Sequence, residues 1–110
     1  MEIVKNKVQL TGFLGRDPEI KTTATGKQMA RFSLGTQDNY TKKGNEVNNV
    51  QWHSLVAWGK IAARVESELK KGISVTIEGK LVQRNYTDAA GKKHYVTEVL
   101  VYELLLLNNK

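Results

Sequence analysis

The chain has no cysteine. That excludes disulfides and every metal site built on thiolates, and it fits a reducing compartment. Its single proline, Pro18, marks a turn and not a linker. With no internal repeat and no low-complexity stretch, the 110 residues read as one domain, 1–110, with a modest core. Long apolar runs are missing too. The longest aliphatic stretch, Leu104 to Leu107, is far too short to cross a bilayer. The opening residues Met1-Glu2-Ile3-Val4-Lys5-Asn6 lack the charged-then-apolar pattern of an export signal. A soluble, cytoplasmic protein is the expectation. Acids are scarce: 11 Asp and Glu stand against 17 Lys and Arg, a net charge of +6. That balance favours a polyanionic partner and says nothing about fold.

Catalytic signatures are also wanting. His53 and His94 stand far apart, without zinc-ligand spacing. Gly72 to Gly79-Lys80 has the wrong spacing for a phosphate loop and no Ser or Thr after the lysine. Gly12-Phe13-Leu14-Gly15 carries apolar residues where a GXXG nucleic-acid clamp needs solvent-facing ones. No enzyme activity, metal or cofactor is expected, and His53 reads as a buried or interfacial histidine.

What is present is alternation. Hydrophobic residues make up 40% of the chain, enough for a folded core. Val4 to Leu14 alternates as a first strand, with Val8 and Leu10 on one side. Arg16-Asp17-Pro18-Glu19 is a turn, and Ile20 to Thr25 is a short extra strand. Met29 to Thr36 puts Ala30, Phe32 and Leu34 on one face, and Arg31, Ser33 and Gly35 on the other. Asp38 to Asn49 is polar and predicts a loop with Lys42-Lys43-Gly44-Asn45 at its tip; Val50 to Trp58 is strand-like again. Lys60 to Lys71 changes period: Ile61, Ala62, Val65 and Leu69 form a helical stripe. Lys70-Lys71 then stand near the helix C-terminus, before a Gly72 stop. Ile73 to Val82 alternates, Arg84 to His94 predicts a second polar loop, and Tyr95 to Leu107 a last strand. Three strands, a helix and a closing hairpin predict an all-β fold with one helix, a five-stranded Greek-key barrel of the OB type. The two polar loops fall where such barrels keep ligand-binding loops.

The aromatic residues are oddly placed. Period two along Val50 to Trp58 puts Trp52, Ser54, Val56 and Trp58 on one face, and His53, Leu55 and Ala57 on the other. Leu55 and Ala57 suit a tight barrel interior, so the tryptophan face points outward. A single tryptophan there is as readily a barrel cap or a ring packed on the helix, since tryptophan is mostly buried on average. Two, with Ser54 between, favour function. Tyr40 sits in the Lys-bearing loop and Tyr86 follows Arg84-Asn85. Flat rings among cations suit single-stranded nucleic acid, rings taking bases and cations taking phosphates. Lys42, Lys43, Lys60, Arg84, Lys92 and Lys93 interleave with the rings, and Lys70 and Lys71 form a second basic group. Tyr95, Tyr102, Phe13 and Phe32 read as core or subunit contact. Leu100, Tyr102 and Leu104 to Leu107 exceed what one small barrel can bury, which predicts self-association.

These residues resemble the bacterial single-stranded DNA-binding protein (SSB) family. Asn6 to Glu19 looks like its opening signature. Gln51-Trp52-His53, Trp58-Gly59-Lys60 and Lys71-Gly72 are similar to its central block, and Ile77 to Leu81, Tyr86-Thr87-Asp88 and Thr97-Glu98-Val99 to its later strands. The resemblance spans nearly the whole chain. It implies an OB-fold homotetramer that wraps single-stranded DNA in replication, recombination and repair, in the nucleoid-associated cytoplasm of a bacterium. Its stacking positions fall on Tyr40, Trp52, Trp58 and Tyr86, and its phosphate-contacting positions on Lys60, Lys70, Lys71 and Arg84; Asn85 stands where a cation is common. Lys42, Lys43, Lys92 and Lys93 are further loop cations. Family members usually continue into a flexible linker with an acidic tip that recruits replication proteins. This chain stops at Asn108-Asn109-Lys110, so recruitment of that kind is not expected from it. The alternatives are a primosome-type or RNA-binding OB module, and a protein–protein adaptor with the rings as hot spots.

Overall fold

Alternating apolar residues build strands that wrap around a single interior, and one helix closes an end of it. The computed structural model of the chain describes residues 5–107, and the side chains of all of these except Asn39 and Tyr40. In chain order the elements are β1 (Val8–Leu14), β2 (Glu19–Thr22), β3 (Gln28–Lys42), β4 (Asn45–Trp58), α1 (Gly59–Glu68), β5 (Ser74–Thr87) and β6 (Lys93–Leu106). The strand order is β1-β5-β6-β4-β3-β2, and β1 also pairs with β3. That last pairing closes β1, β5, β6, β4 and β3 into the expected five-stranded barrel, with β2 added on the edge of β3. Val4, the expected start of the first strand, lies outside the described residues.

The inward faces are the alternating sets. Ala30, Phe32 and Leu34 of β3, Leu55 and Ala57 of β4, and Val75 and Ile77 of β5 are all buried in one cluster. Ala62, Val65 and Leu69 drive the helix stripe into the same cluster, and α1 packs against β3, β4 and β6. On β6 the inward residues are Val99, Val101 and Leu104, a spacing that changes from two to three. The register explains it: Gly79 faces Val101 while Glu78 faces Glu103, so Tyr102 is an extra residue bulged out of the ladder. A bulge of this kind resets which face later residues take. Leu104 therefore belongs to the core, whereas Leu105 is 65% exposed and Leu106, Leu107 and Tyr102 are also exposed. Tyr95 is exposed as well, so of the aromatics expected as core or contact only Phe32 is fully interior.

Three boundaries differ from expectation. The polar stretch Asp38 to Asn49 continues the β3–β4 ladder out to the pair Lys42↔Asn45. Lys43 and Gly44 make the turn, both at positive φ (52° and 80°), the two-residue geometry whose twist matches the flanking strands. Polar side chains gave no alternation to read, yet backbone pairing needs none. The second polar stretch likewise stays paired to Thr87↔Lys93. Finally, α1 ends at Glu68, because Leu69 turns inward in extended conformation. Lys70 and Lys71 are therefore past the helix, not in its last turn. There the Lys71 amide donates to Asp17 Oδ1 at 2.8 Å and the Gly72 amide to the Leu14 carbonyl at 2.9 Å, which ties this turn to the end of β1.

Candidate nucleic-acid interface

The outer face of β3 and β4 carries the candidate site. Their register sets Gly35 opposite Trp52, Ser33 opposite Ser54, Arg31 opposite Val56 and Met29 opposite Trp58. Trp52 is 53% exposed and Trp58 36%, so both rings face outward, as the strand alternation predicts. Trp52 has a prepared seat. A Cβ added at Gly15 would come within 2.7 Å of its ring and one at Gly35 within 2.9 Å. The indole thus lies on two residues that have no side chain, and Phe13 meets it edge-on at 5.5 Å between centroids. An edge-to-face contact of this sort fixes a ring's tilt. Trp58 stands just before α1, with the Lys27 ammonium 5.2 Å from its ring centroid. Between the tryptophans, Val56 is buried, flanked by Arg31 of β3 and Leu100 of β6.

From Trp52 the surface opens into a cleft. Gly15, Arg16, Ser33 and Trp52 line its first part. Arg16 and Ser33 continue into a larger part of about 400 Å³, with Arg31, Ser54, Arg84 and Glu98 among its lining. Beyond Arg84 comes Tyr86, whose ring stacks on His94 (5.0 Å, 17°), with the Arg84 guanidinium 5.5 Å from its centroid. The path therefore runs from Trp52 through three arginines to Tyr86, rather than straight along β4 from Trp52 to Trp58. Alternation had already put Arg31 and Ser33 on this outer face; what was missing was the pairing register that makes them neighbours of Ser54 and Val56. Arg16 sits in the β1–β2 turn, where sequence alone carries no direction.

The expected cations are dispersed. Lys42 and Lys43 are at the β3–β4 tip, Lys92 and Lys93 at the β5–β6 turn, Lys60 in the first turn of α1, and Lys70 and Lys71 beside Asp17. None of them lines the cleft; of the expected set, only Arg84 does. Asn85 is exposed opposite Tyr95. The side chain of Tyr40 lies outside those described. His53 is half-buried, its Nε2 2.9 Å from Thr36 Oγ1.

The hairpin that presents Tyr86 is locked by Asp88. One carboxylate oxygen accepts the Ala90 and Lys92 amides, each at 2.9 Å, and the other lies 2.7 Å from His94 Nε2. The turn thus brings a carboxylate to His94, and the same histidine is the ring beneath Tyr86. The His94 contact, then the Lys92 and Ala90 amides, hold the Asp88 carboxyl below its ordinary 3.8. The folded state thus favours the carboxylate. Its contribution is complete above the unfolded aspartate's pKa and is lost as pH falls through the lower folded value. Protection of the Ala90 and Lys92 amides against hydrogen exchange should fall over that acid range in the wild type. In Asp88→Ala, which removes the acceptor, it should be low at every pH. Unchanged protection in the variant would show that the turn does not depend on the carboxylate.

The sequence model described as the single-strand binding protein family matches residues 5–107. A single-stranded DNA-binding protein 1 from Chlorobaculum tepidum is 41% identical over 107 residues, covering 96% of this chain and 66% of that protein. The protein of the same name from Xylella fastidiosa is 39% identical over 107 residues, covering 96% of this chain and 79% of its own length. The chain thus spans just under two thirds of the first relative. A solved structure described as a Plasmodium falciparum SSB complex with ssDNA shares the fold at a TM-score of 0.85 and 26% identity, covering 98% of this chain and 99% of that one.

Proposed function

The chain belongs to the single-strand binding protein family, and from that premise we propose that it binds single-stranded DNA without reading its sequence, in replication, recombination and repair. The observation that carries the reading is the Trp52 seat: an exposed indole laid on two glycines and braced by Phe13, at the mouth of a cleft lined by arginines. Trp52, Trp58, Tyr86 and Tyr40 stack bases, since every base has a π-face and stacking tolerates any sequence. Arg84, Arg31 and Arg16 hold phosphates inside the cleft. Lys60, Lys70, Lys71, Lys42, Lys43, Lys92 and Lys93 add attraction along the approaches, and salt weakens the whole through counterion release. The role is binding, with no reaction assigned. Among the described residues, no helix is long and apolar enough to cross a membrane.

Self-association into a tetramer belongs to the same reading. Leu81 on β5, Tyr102, Leu105 and Leu106 on β6 and Leu107 just beyond it leave apolar side chains exposed, the kind of surface that a partner copy covers.

Both tryptophans of the chain lie on the proposed surface, so their fluorescence reports on it directly. Adding oligo-dT at low salt should quench the emission, and added salt should restore it. Light scattering on the same sample should give a multiple of the 12.4 kDa chain mass. Unquenched emission at low salt would sink the DNA-binding reading, and a monomer mass the assembly.

A further inference from the structure

The floor of the cleft holds an acid where an anion is meant to bind. Glu98 is 5% exposed. One of its oxygens accepts Arg31 Nη1 and the other accepts Arg84 Nε at 3.1 Å. The two guanidiniums are themselves more open: the Arg31 side chain is 30% exposed and that of Arg84 43%. A guanidinium carries five N–H donors in a rigid plane and a carboxylate only accepts. Arg84 spends its Nε on Glu98, at the root of the plane. Among the described residues neither terminal nitrogen has a hydrogen-bond partner, and the Tyr86 ring lies beside the plane. Arg31 is fixed through one terminal nitrogen and keeps its other donors.

A buried charge without partners is costly, so Glu98 and the two arginines hold each other in place. Two long cationic side chains, which would otherwise repel and sample many rotamers, are thereby frozen side by side. From this geometry we infer that Glu98 is a positioning residue. It aims Arg84 and Arg31 so that their free donors form one phosphate subsite between the Trp52 and Tyr86 rings. This inference rests on the DNA-binding reading. It gives an acidic residue a role in gripping an anion, against the expectation that an acid in the cleft only competes with the phosphate.

The test is a double-mutant cycle on the full chain, with fluorescently labelled oligo-dT followed by anisotropy across a salt series. Glu98→Gln keeps the shape but turns one acceptor into a donor, so Arg84, the more exposed of the two arginines, lets go while Arg31 keeps the remaining oxygen. It should weaken binding about tenfold despite removing a negative charge. It should also flatten the slope of log affinity against log salt by about 0.7, the value of one single-strand phosphate contact. Arg84→Ala should cost a similar factor, and the double variant little more than either alone, because both remove the same oriented donor. Tighter binding by Glu98→Gln would show that the acid competes, and full additivity would show that the two act separately; either overturns the inference. If the Gln variant fails to fold, Arg84→Lys asks the same question on an exposed side chain: charge is kept, but one ammonium cannot hold Glu98 and present a fork. It should lose several-fold, and wild-type affinity would overturn the inference. A wild type that does not bind oligo-dT would instead remove the reading beneath it.

Discussion

Trp52→Ala/Trp58→Ala should bind oligo-dT about a thousandfold more weakly than the wild type, with its fold intact. A base stacked on an aromatic ring is worth ~1–3 kcal/mol by alanine substitution, and two such losses come to about 4 kcal/mol, near three decades in affinity. The rings sit six residues apart on the outward face of β4, roughly 20 Å at the rise of an extended strand. Their neighbours differ: Gly15, Gly35 and Phe13 for Trp52, Lys27 for Trp58. Sites without shared partners add. Neither ring belongs to the buried core, so circular dichroism and the melting temperature should change little. The variant has no tryptophan left to quench, so a labelled oligonucleotide must report the binding. A loss below tenfold would show that the rings are not stacking surfaces. Salt separates this from a charge effect. The double variant should keep the wild-type slope of log affinity against log salt, because no phosphate contact is removed.

Much of this surface is legible in the residues. Alternation alone put Ala30, Phe32 and Leu34 inside and Arg31, Ser33 and Gly35 outside, and it turned both tryptophans outward. What alternation cannot supply is which outward residue of one strand lies beside which of the next. Interleaving along the chain therefore points to the lysines of the hairpin loops, and the resemblance to Lys60, Lys70, Lys71 and Arg84, while neither points to Arg31 or Arg16. Glu98 shows the same gap more sharply. Nothing in the strand pattern gives it a partner, and only the approach of Arg31 from β3 and Arg84 from β5 makes it a buried carboxylate with two partners. Leu104 moved from the exposed set to the core for another reason, a one-residue bulge at Tyr102 that shifts parity for everything after it. The Asp88–His94 contact was hidden by the turn, which folds two residues six apart onto each other. In each case the residue type was visible and the missing quantity was a register or a turn.

Gly12→Ala should be among the most damaging single methyls in the barrel, lowering stability by about 3 kcal/mol or more, at the top of the range for overpacking. The barrel closes where β1 meets β3, over only the pairs Phe13↔Gly35 and Leu14↔Leu34. At that seam a Cβ on Gly12 would fall 2.0 Å from the Gly35 carbonyl oxygen and 2.9 Å from its carbon. Backbone cannot swing aside as a side chain does, so β1 and β3 must part to admit the methyl. For a domain of about 100 residues, a loss of that size lowers the melting temperature by roughly 12 °C or more. Gly15→Ala is the informative contrast. Its methyl would meet the Trp52 ring at 2.7 Å, and an exposed ring can lift away at small cost. Thermal unfolding should therefore separate the two variants by most of that interval. DNA binding should not separate them so widely: Gly15→Ala tilts the Trp52 ring directly, and Gly12→Ala, by parting β1 from β3, disturbs the Gly35 and Phe13 sides of the same seat. Equal melting temperatures would mean that the β1–β3 seam does not hold the barrel closed, and that closure rests on β4 and β6, the parallel pair on its far side.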